Sequence, residues 1–170
     1  MKKLSILLTI VVCSVFVSCD SKSEGGMSAT AKKNVEVNEA IFKAIESGDF
    51  SKMGDYIAAD AIDHSGDQGD VVGLENIVAD LKKYHEMSPD MKMTHIKTMA
   101  DDDHVITWSK SSGTMNGQKM EMTAVEIAKF KDGKAIEHWM YMDPKDMMKM
   151  MSPATEHKMD DMPAKDTTKM

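Results

Sequence analysis

Two short stretches hold the residue types that move protons near neutral pH. One is the dipeptide Asp63-His64. The other is Ala135 to Asp143, which places an imidazole, a large aromatic and a carboxylate at His138, Trp139 and Asp143. A histidine in a dry pocket titrates near neutral pH, and a neighbouring carboxylate orients its ring. That pairing equips a site for general acid–base catalysis on a small apolar carbonyl compound. His138 with His64 or Asp63 is the expected pair. Glu126 is a further candidate acid, although a carboxylate on a strand more often faces solvent or an interface. The ordinary alternative for His138 is a satisfied, half-buried histidine, and Asp63-His64 could simply end a strand.

Metal chemistry is the competing reading, since the chain has 19 Met and 6 His. Met147, Met148, Met150, Met151, Met159 and Met162, with His157, offer soft thioether ligands that suit Cu(I). Met147 to Met151 reads equally as the apolar side of a closing helix, and Met also serves as gap-filler. A zinc site from His95 and His138 is excluded by strands placed three apart, about 14 Å. Asp101-Asp102-Asp103 lacks the alternation and closing Glu of a calcium loop and reads as a solvated turn. No cofactor motif is present.

The elements that must position these residues follow from periodicity. Val35, Val37, Ile41, Phe42 and Ile45 with a final Gly48 mark an amphipathic helix and its stop. Phe50 to Ile57 suits a second short helix, with Ser51 as a candidate cap. Ala61 to His64 forms a short strand, and Ser65 to Asp70 a polar loop. Leu74 to Tyr84 forms another helix, and Ser88-Pro89-Asp90 breaks the chain. Four strands then run as a meander: Met91–Met99, His104–Thr114, Met120–Phe130 and Ala135–Asp143. Asn116-Gly117 and Lys131 to Lys134 are the tight hairpin turns.

Registering the strands from their turns pairs Met99 with His104, Met115 with Gln118 and Phe130 with Ala135. One face then gathers Met93, His95, Ile106, Trp108, Val125, Ile127, Ile136, His138, Met140 and Met142. The other gathers Thr107, Ser109, Ala124, Glu126, Glu137, Trp139, Tyr141 and Asp143. The first is the more apolar and is expected to line a pocket, with His95, Trp108, Val125, Ile136 and Met140 as ligand contacts. The second, with Trp139 and Tyr141, suits a homodimer contact. A one-residue slip would exchange the two sets.

A strand, the turn Asp132-Gly133-Lys134, then Ile136-Glu137-His138-Trp139 and Asp143 resembles the end of a SnoaL-like domain. Gly48-Asp49-Phe50, Asp60 to His64 and Gly73 to Ile77 stand in that family's order. The resemblance spans roughly 31–151 and implies an α+β fold, a cone-shaped curved antiparallel sheet wrapped by N-terminal helices, as in nuclear transport factor 2. It also implies that the early strand lies beside the last one, bringing His64 to the pocket. Polyketide cyclases of that family usually carry an acid directly after the Trp, where this chain has Met140. A thioether transfers no proton. The chain has no Arg, so the Arg-bridged carboxylates of related epoxide hydrolases are absent too. The fold hosts cyclases, isomerases, hydrolases and binders, so the expectation is binding, with or without conversion, of a small hydrophobic molecule.

The 170 residues suit one domain. Met1 to Val17, two lysines and an apolar run, reads as a secretion signal too short to span a bilayer. It ends at Ser18-Cys19, which resembles the lipobox of bacterial lipoproteins, so lipidation is expected at Cys19. The chain would then face the periplasm or the outside of the cell envelope on a lipid anchor. Residues 1–18 form the signal, 19–30 a flexible tether and 152–170 a charged disordered tail. The formal net charge of -7 becomes about -9 once Lys2 and Lys3 are removed, which disfavours nucleic acid and electrostatic docking on anionic lipid.

Overall fold

A computed structural model describes residues 26–151, residue 116 excepted; the signal, Cys19 and the tail with His157 lie outside it. The elements are α1 (Ala29–Ser47), α2 (Met53–Tyr56), β1 (Ile57–Asp63), β2 (Val71–Val72), α3 (Leu74–Met87), β3 (Lys92–Ala100), β4 (His104–Met115), β5 (Gln118–Lys131), β6 (Lys134–Met142) and α4 (Pro144–Met151). The six strands form one sheet in the order β2-β1-β6-β5-β4-β3. The α+β architecture is the expected one, as is the placement of β1 beside β6, where it pairs in parallel.

Local chemistry accounts for the element ends. Ser28 caps α1 by accepting from the Ala31 N–H, and Gly48 ends the helix at φ 71°, the left-handed conformation that glycine adopts without strain. Ser51 does not cap α2. It donates instead to the Asp49 carboxylate, and Lys52 stands at the cap position. Asp132 and Gly133 both take positive φ, 52° and 77°, which gives the β5–β6 turn the twist that matches its strands. Asp101 Oδ1 accepts from the N–H groups of Asp103 and His104, so the acidic run is a turn held by its own side chain.

The core closes one end of the cone. Met53, Ile57, Ala61, Ile77, Val105, Ala128, Phe130 and Ala135 are buried together there, with α1 and α3 packed over the sheet. The inner face of β5 reads Phe130, Ala128, Glu126, Ala124, Met122 toward the other end. It is joined by Val105, Thr107, Ser109 and Ser111 of β4 and by His138, Met140 and Met142 of β6. Small residues at Ala128, Ala124, Ser109 and Ser111 leave the space under the helices unfilled, so the sheet encloses a cavity there.

The register differs from the expectation at two places, and each is a bulge. Phe130 pairs with Ala135 as expected, but Lys129 then pairs with Glu137, leaving Ile136 as the extra residue. On β3, His95 pairs with Ser109 and Lys97 with Trp108, leaving Ile96 extra; Met99 pairs with Ile106 rather than His104. Met115 does pair with Gln118. Each bulge reverses which face of β4 and β5 joins the pocket-side residues of β3 and β6. Trp108, Val125, Ile106 and Ile127 therefore lie on the outer face, where Trp108 is 44% exposed and Tyr141 60%.

Candidate active site

Where the packed core ends, three ionisable side chains meet. The parallel register sets Asp63 beside His138, and Asp63 Oδ1 lies 3.0 Å from His138 Nδ1. From β5, Glu126 Oε2 lies 3.7 Å from His138 Nε2, while Ser109 Oγ donates to Glu126 Oε1 at 2.9 Å. Glu126 is only 8% exposed and Ser109 is fully buried. An isolated carboxylate at that depth would be costly, and the Ser109 hydroxyl and the His138 ring offset the cost. Asp63 is held further by the N–H and hydroxyl of Ser65.

These groups form one wall of a cavity of about 380 Å³. Ile41, Phe42 and Ile45 of α1 and Leu81 and Tyr84 of α3 roof it. Its outer half is lined by thioethers from Met87, Met91, Met93, Met115, Met122 and Met142. Asn38 reaches in from α1 and donates to Thr107 Oγ1 at 3.2 Å. Tyr84 donates to Asp67 of the loop between β1 and β2 at 3.2 Å. Burial and the nearby Asp67 push the Tyr84 phenol up to about 12, so it remains a donor at neutral pH.

The charge states follow from these contacts. Burial drives His138 toward the neutral form, but the hydrogen bond to Asp63 and the proximity of Glu126 outweigh it, and the ring is raised to about 9. Burial pushes the Asp63 carboxyl up, and His138 and Ser65 pull it below the usual carboxylate range. At neutral pH the pair is imidazolium and carboxylate. His138 is thus a proton and hydrogen-bond donor rather than a base.

The nominated residues separate as follows. His138 and Asp63 come together as expected, and Met140 lines the cavity beside them. His64 does not join them. Successive strand residues point to opposite faces, so with Asp63 turned inward His64 turns outward. It stacks on Trp139 with ring centroids 4.8 Å apart and pairs with Asp70 at 3.0 Å and Glu137 at 3.6 Å. Trp108 and Val125 are on the outer face for the register reason given above. Ile136, the bulge residue, lines a shallow surface recess instead. His95 is on the inner face, but its ring packs edge-on against Phe42 at 4.6 Å and its Nδ1 meets Glu39 at 2.7 Å, away from the cavity lining. Asp143 caps α4 through the Lys145 N–H.

Glu126, expected on the outer face, lies on the inner one beside Thr107 and Met140 and lines the cavity. Its signal was present: Ala124, Glu126, Ala128 and Phe130 alternate with Val125, Ile127 and Lys129, and small residues flank the acid. Among the described residues, no group of three or more His, Cys, Asp or Glu side chains is arranged to hold a metal ion. Of the copper candidates, Met147, Met148, Met150 and Met151 belong to α4, and His157, Met159 and Met162 lie outside the described residues.

Residues 35–151 match the family described as SnoaL-like polyketide cyclase. Similar solved structures include a putative SnoaL-like polyketide cyclase from Jannaschia sp. CCS1, at 18% identity, TM-score 0.66, 72% of this chain and 94% of that one. Wild-type IdmH, a putative polyketide cyclase from Streptomyces antibioticus, is 25% identical with TM-score 0.59, over 69% and 97% of the two chains. An LEH-like epoxide hydrolase from M. tuberculosis is 16% identical with TM-score 0.62, over 70% and 89%. No curated protein matches the chain.

Proposed function

The chain belongs to the SnoaL-like polyketide cyclase family, and from that premise we propose that its cavity binds a small hydrophobic carbonyl compound and moves a proton on it. The observation that carries this is the Asp63–His138–Glu126 set on the wall of an otherwise apolar cavity. Proton abstraction next to a carbonyl needs a base at the carbon and a donor at the oxygen. Glu126, fixed by Ser109, supplies the base. His138, kept protonated by Asp63, supplies the donor and stabilises the enolate oxygen as charge develops. Asp63 meets His138 from the far side and acts by orienting the ring. The apolar walls exclude water and strengthen these interactions.

Met140 fits this reading. The family resemblance puts an acid directly after the Trp, and Met140 cannot take that role. Its cross-strand partner on the inner face is Glu126. The carboxylate stands one strand over, against the same imidazole.

The test is exchange of hydrogens next to the carbonyl. A panel of small apolar ketones is incubated with the protein in D2O and followed by NMR. Deuterium uptake is expected for a subset, with Glu126→Gln and His138→Gln each losing about 10²–10⁴-fold. Uptake is expected to fall as pH rises through about 9, where His138 loses its proton. Binding without exchange would leave a carrier rather than a catalyst.

The same proposal places the domain on a membrane of the bacterial cell envelope. Its supports are the apolar run Leu4 to Val17 and Cys19 after Ser18. Partition of the expressed protein into detergent, lost in Cys19→Ala, is the expected result.

A further inference from the structure

The cavity is charged in one sense. Its lining includes the carboxylates of Asp63, Asp67 and Glu126, and among the described residues no lysine faces it. The chain has no arginine to reach in. Glu137 also borders the cavity, but its carboxylate is spent on Lys129 at 2.6 Å and on His64. Among the described residues His138 is the single cation in the lining, shared between Asp63 and Glu126. Three carboxylates against one imidazolium leave an excess of two negative charges around a space walled by aliphatic and thioether groups.

One of those carboxylates has an open valence. Glu126 is buried, its Oε1 is taken by Ser109, and among the described residues its Oε2 has no partner nearer than His138 at 3.7 Å. Glu126 lines the cavity, so this weakly engaged acceptor is within reach of a bound molecule. At the cavity's loop side, Asp67 is exposed and, among the described residues, accepts from Tyr84 alone. Both ends of the space therefore present acceptor oxygens.

We infer that the cavity selects its ligand by charge: it takes an apolar molecule whose further polar group is a hydrogen-bond donor, best a protonated amine, and it excludes acids. The inference rests on the cavity being a ligand site, as proposed above, and narrows the carbonyl compound to one whose remaining polar groups are donors or cations. An ionised acid would stand beside three carboxylates that share one imidazolium. An amine of the same shape meets the opposite field. The thioethers add a polarizable wall that adapts to the shape of the apolar part.

The test uses the full chain and three probes of one shape: 1-naphthylmethylamine, 1-naphthaldehyde and 1-naphthoic acid, titrated by calorimetry at pH 7. The expected order is amine, aldehyde, acid, with the acid weaker than the amine by at least about tenfold. Glu126→Gln, which keeps the shape, is expected to narrow the amine-to-acid ratio severalfold. Asp67→Asn, on the exposed loop, is expected to narrow it less and serves if the buried variant fails to fold. Acid binding as tightly as the amine, or a ratio unmoved in both variants, would overturn the charge selection while leaving the cavity as a ligand site. Absence of binding by all three probes would overturn both.

Discussion

Asp63→Asn isolates the contact on which the site's charge state rests. The amide keeps the shape of the carboxylate and can still accept from His138 Nδ1, so the change removes charge rather than a side chain. His138 is raised from 6.5 to about 9 in the folded protein, against the pull of its burial. A shift of that size corresponds to roughly 3 kcal/mol at most. The sign follows from linkage. Between pH 6.5 and 9 the folded protein binds a proton that the unfolded chain has released, so stability falls by about 1.4 kcal/mol per pH unit across that window. The contribution is complete below 6.5 and gone above about 9. In Asp63→Asn, only Glu126 at 3.7 Å still favours the proton. The His138 midpoint is expected to drop by at least about one unit, and the protein to lose on the order of 10 °C in Tm at neutral pH. NMR titration of the His138 ring reads the midpoint. Urea unfolding of both proteins at pH 6 and pH 10 reads the linkage, with the difference between them expected to shrink at pH 10. A wild-type midpoint at or below 6.5, or a variant whose stability penalty is the same at both pH values, would refute the reasoning.

Gly48→Ala is expected to cost about 1–3 kcal/mol in urea unfolding, because the residue sits at φ 71° and an added Cβ would lie 2.5 Å from His85 Nε2. The His85 ring cannot swing away freely, since its Nδ1 bonds the Ile45 carbonyl at 3.0 Å. Ser109→Ala leaves Glu126 Oε1 buried without its donor. It is expected to cost roughly 1–3 kcal/mol in unfolding and to weaken deuterium exchange, where a purely structural hydroxyl would affect only the first. The outer face, apolar along Ile106, Trp108, Val125, Ile127 and Tyr141, is expected to pair with a second copy. Sedimentation should show a dimer that Trp108→Glu converts to monomer; a wild-type monomer at high micromolar concentration would remove that expectation.

The α+β class, the helix ended at Gly48 and the meander of β3 to β6 were legible because each rests on local chemistry. Gly48 needs a left-handed φ, the 131–134 turn needs two positive φ values, and α1 and α3 show an apolar stripe of helical period. Half of the site was legible for a similar reason. His138 and Asp63 are polar groups on strands that also carry Ala61, Ile62, Ala135 and Ile136, and the parallel pairing of β1 with β6 brings them together. What failed was the face. Large apolar residues such as Trp108, Val125 and Ile127 suit a packed core, and here they lie on the outer face. A cavity is made instead by what does not fill it, here Ala124, Ala128, Ser109 and Ser111.

By itself, then, the sequence determined the main elements and their order, and named His138 with His64 or Asp63 as the candidate pair. Tertiary structure alone decided that Glu126 joins them, and that His64, Trp108 and Val125 do not. Side chains alternate with a period of two, so a single extra residue reverses a face. The extra residues at Ile96 and Ile136 carry no local signature. They are set by how the curved sheet closes under α1 and α3, a balance of packing over the whole inner face that no stretch of sequence states alone.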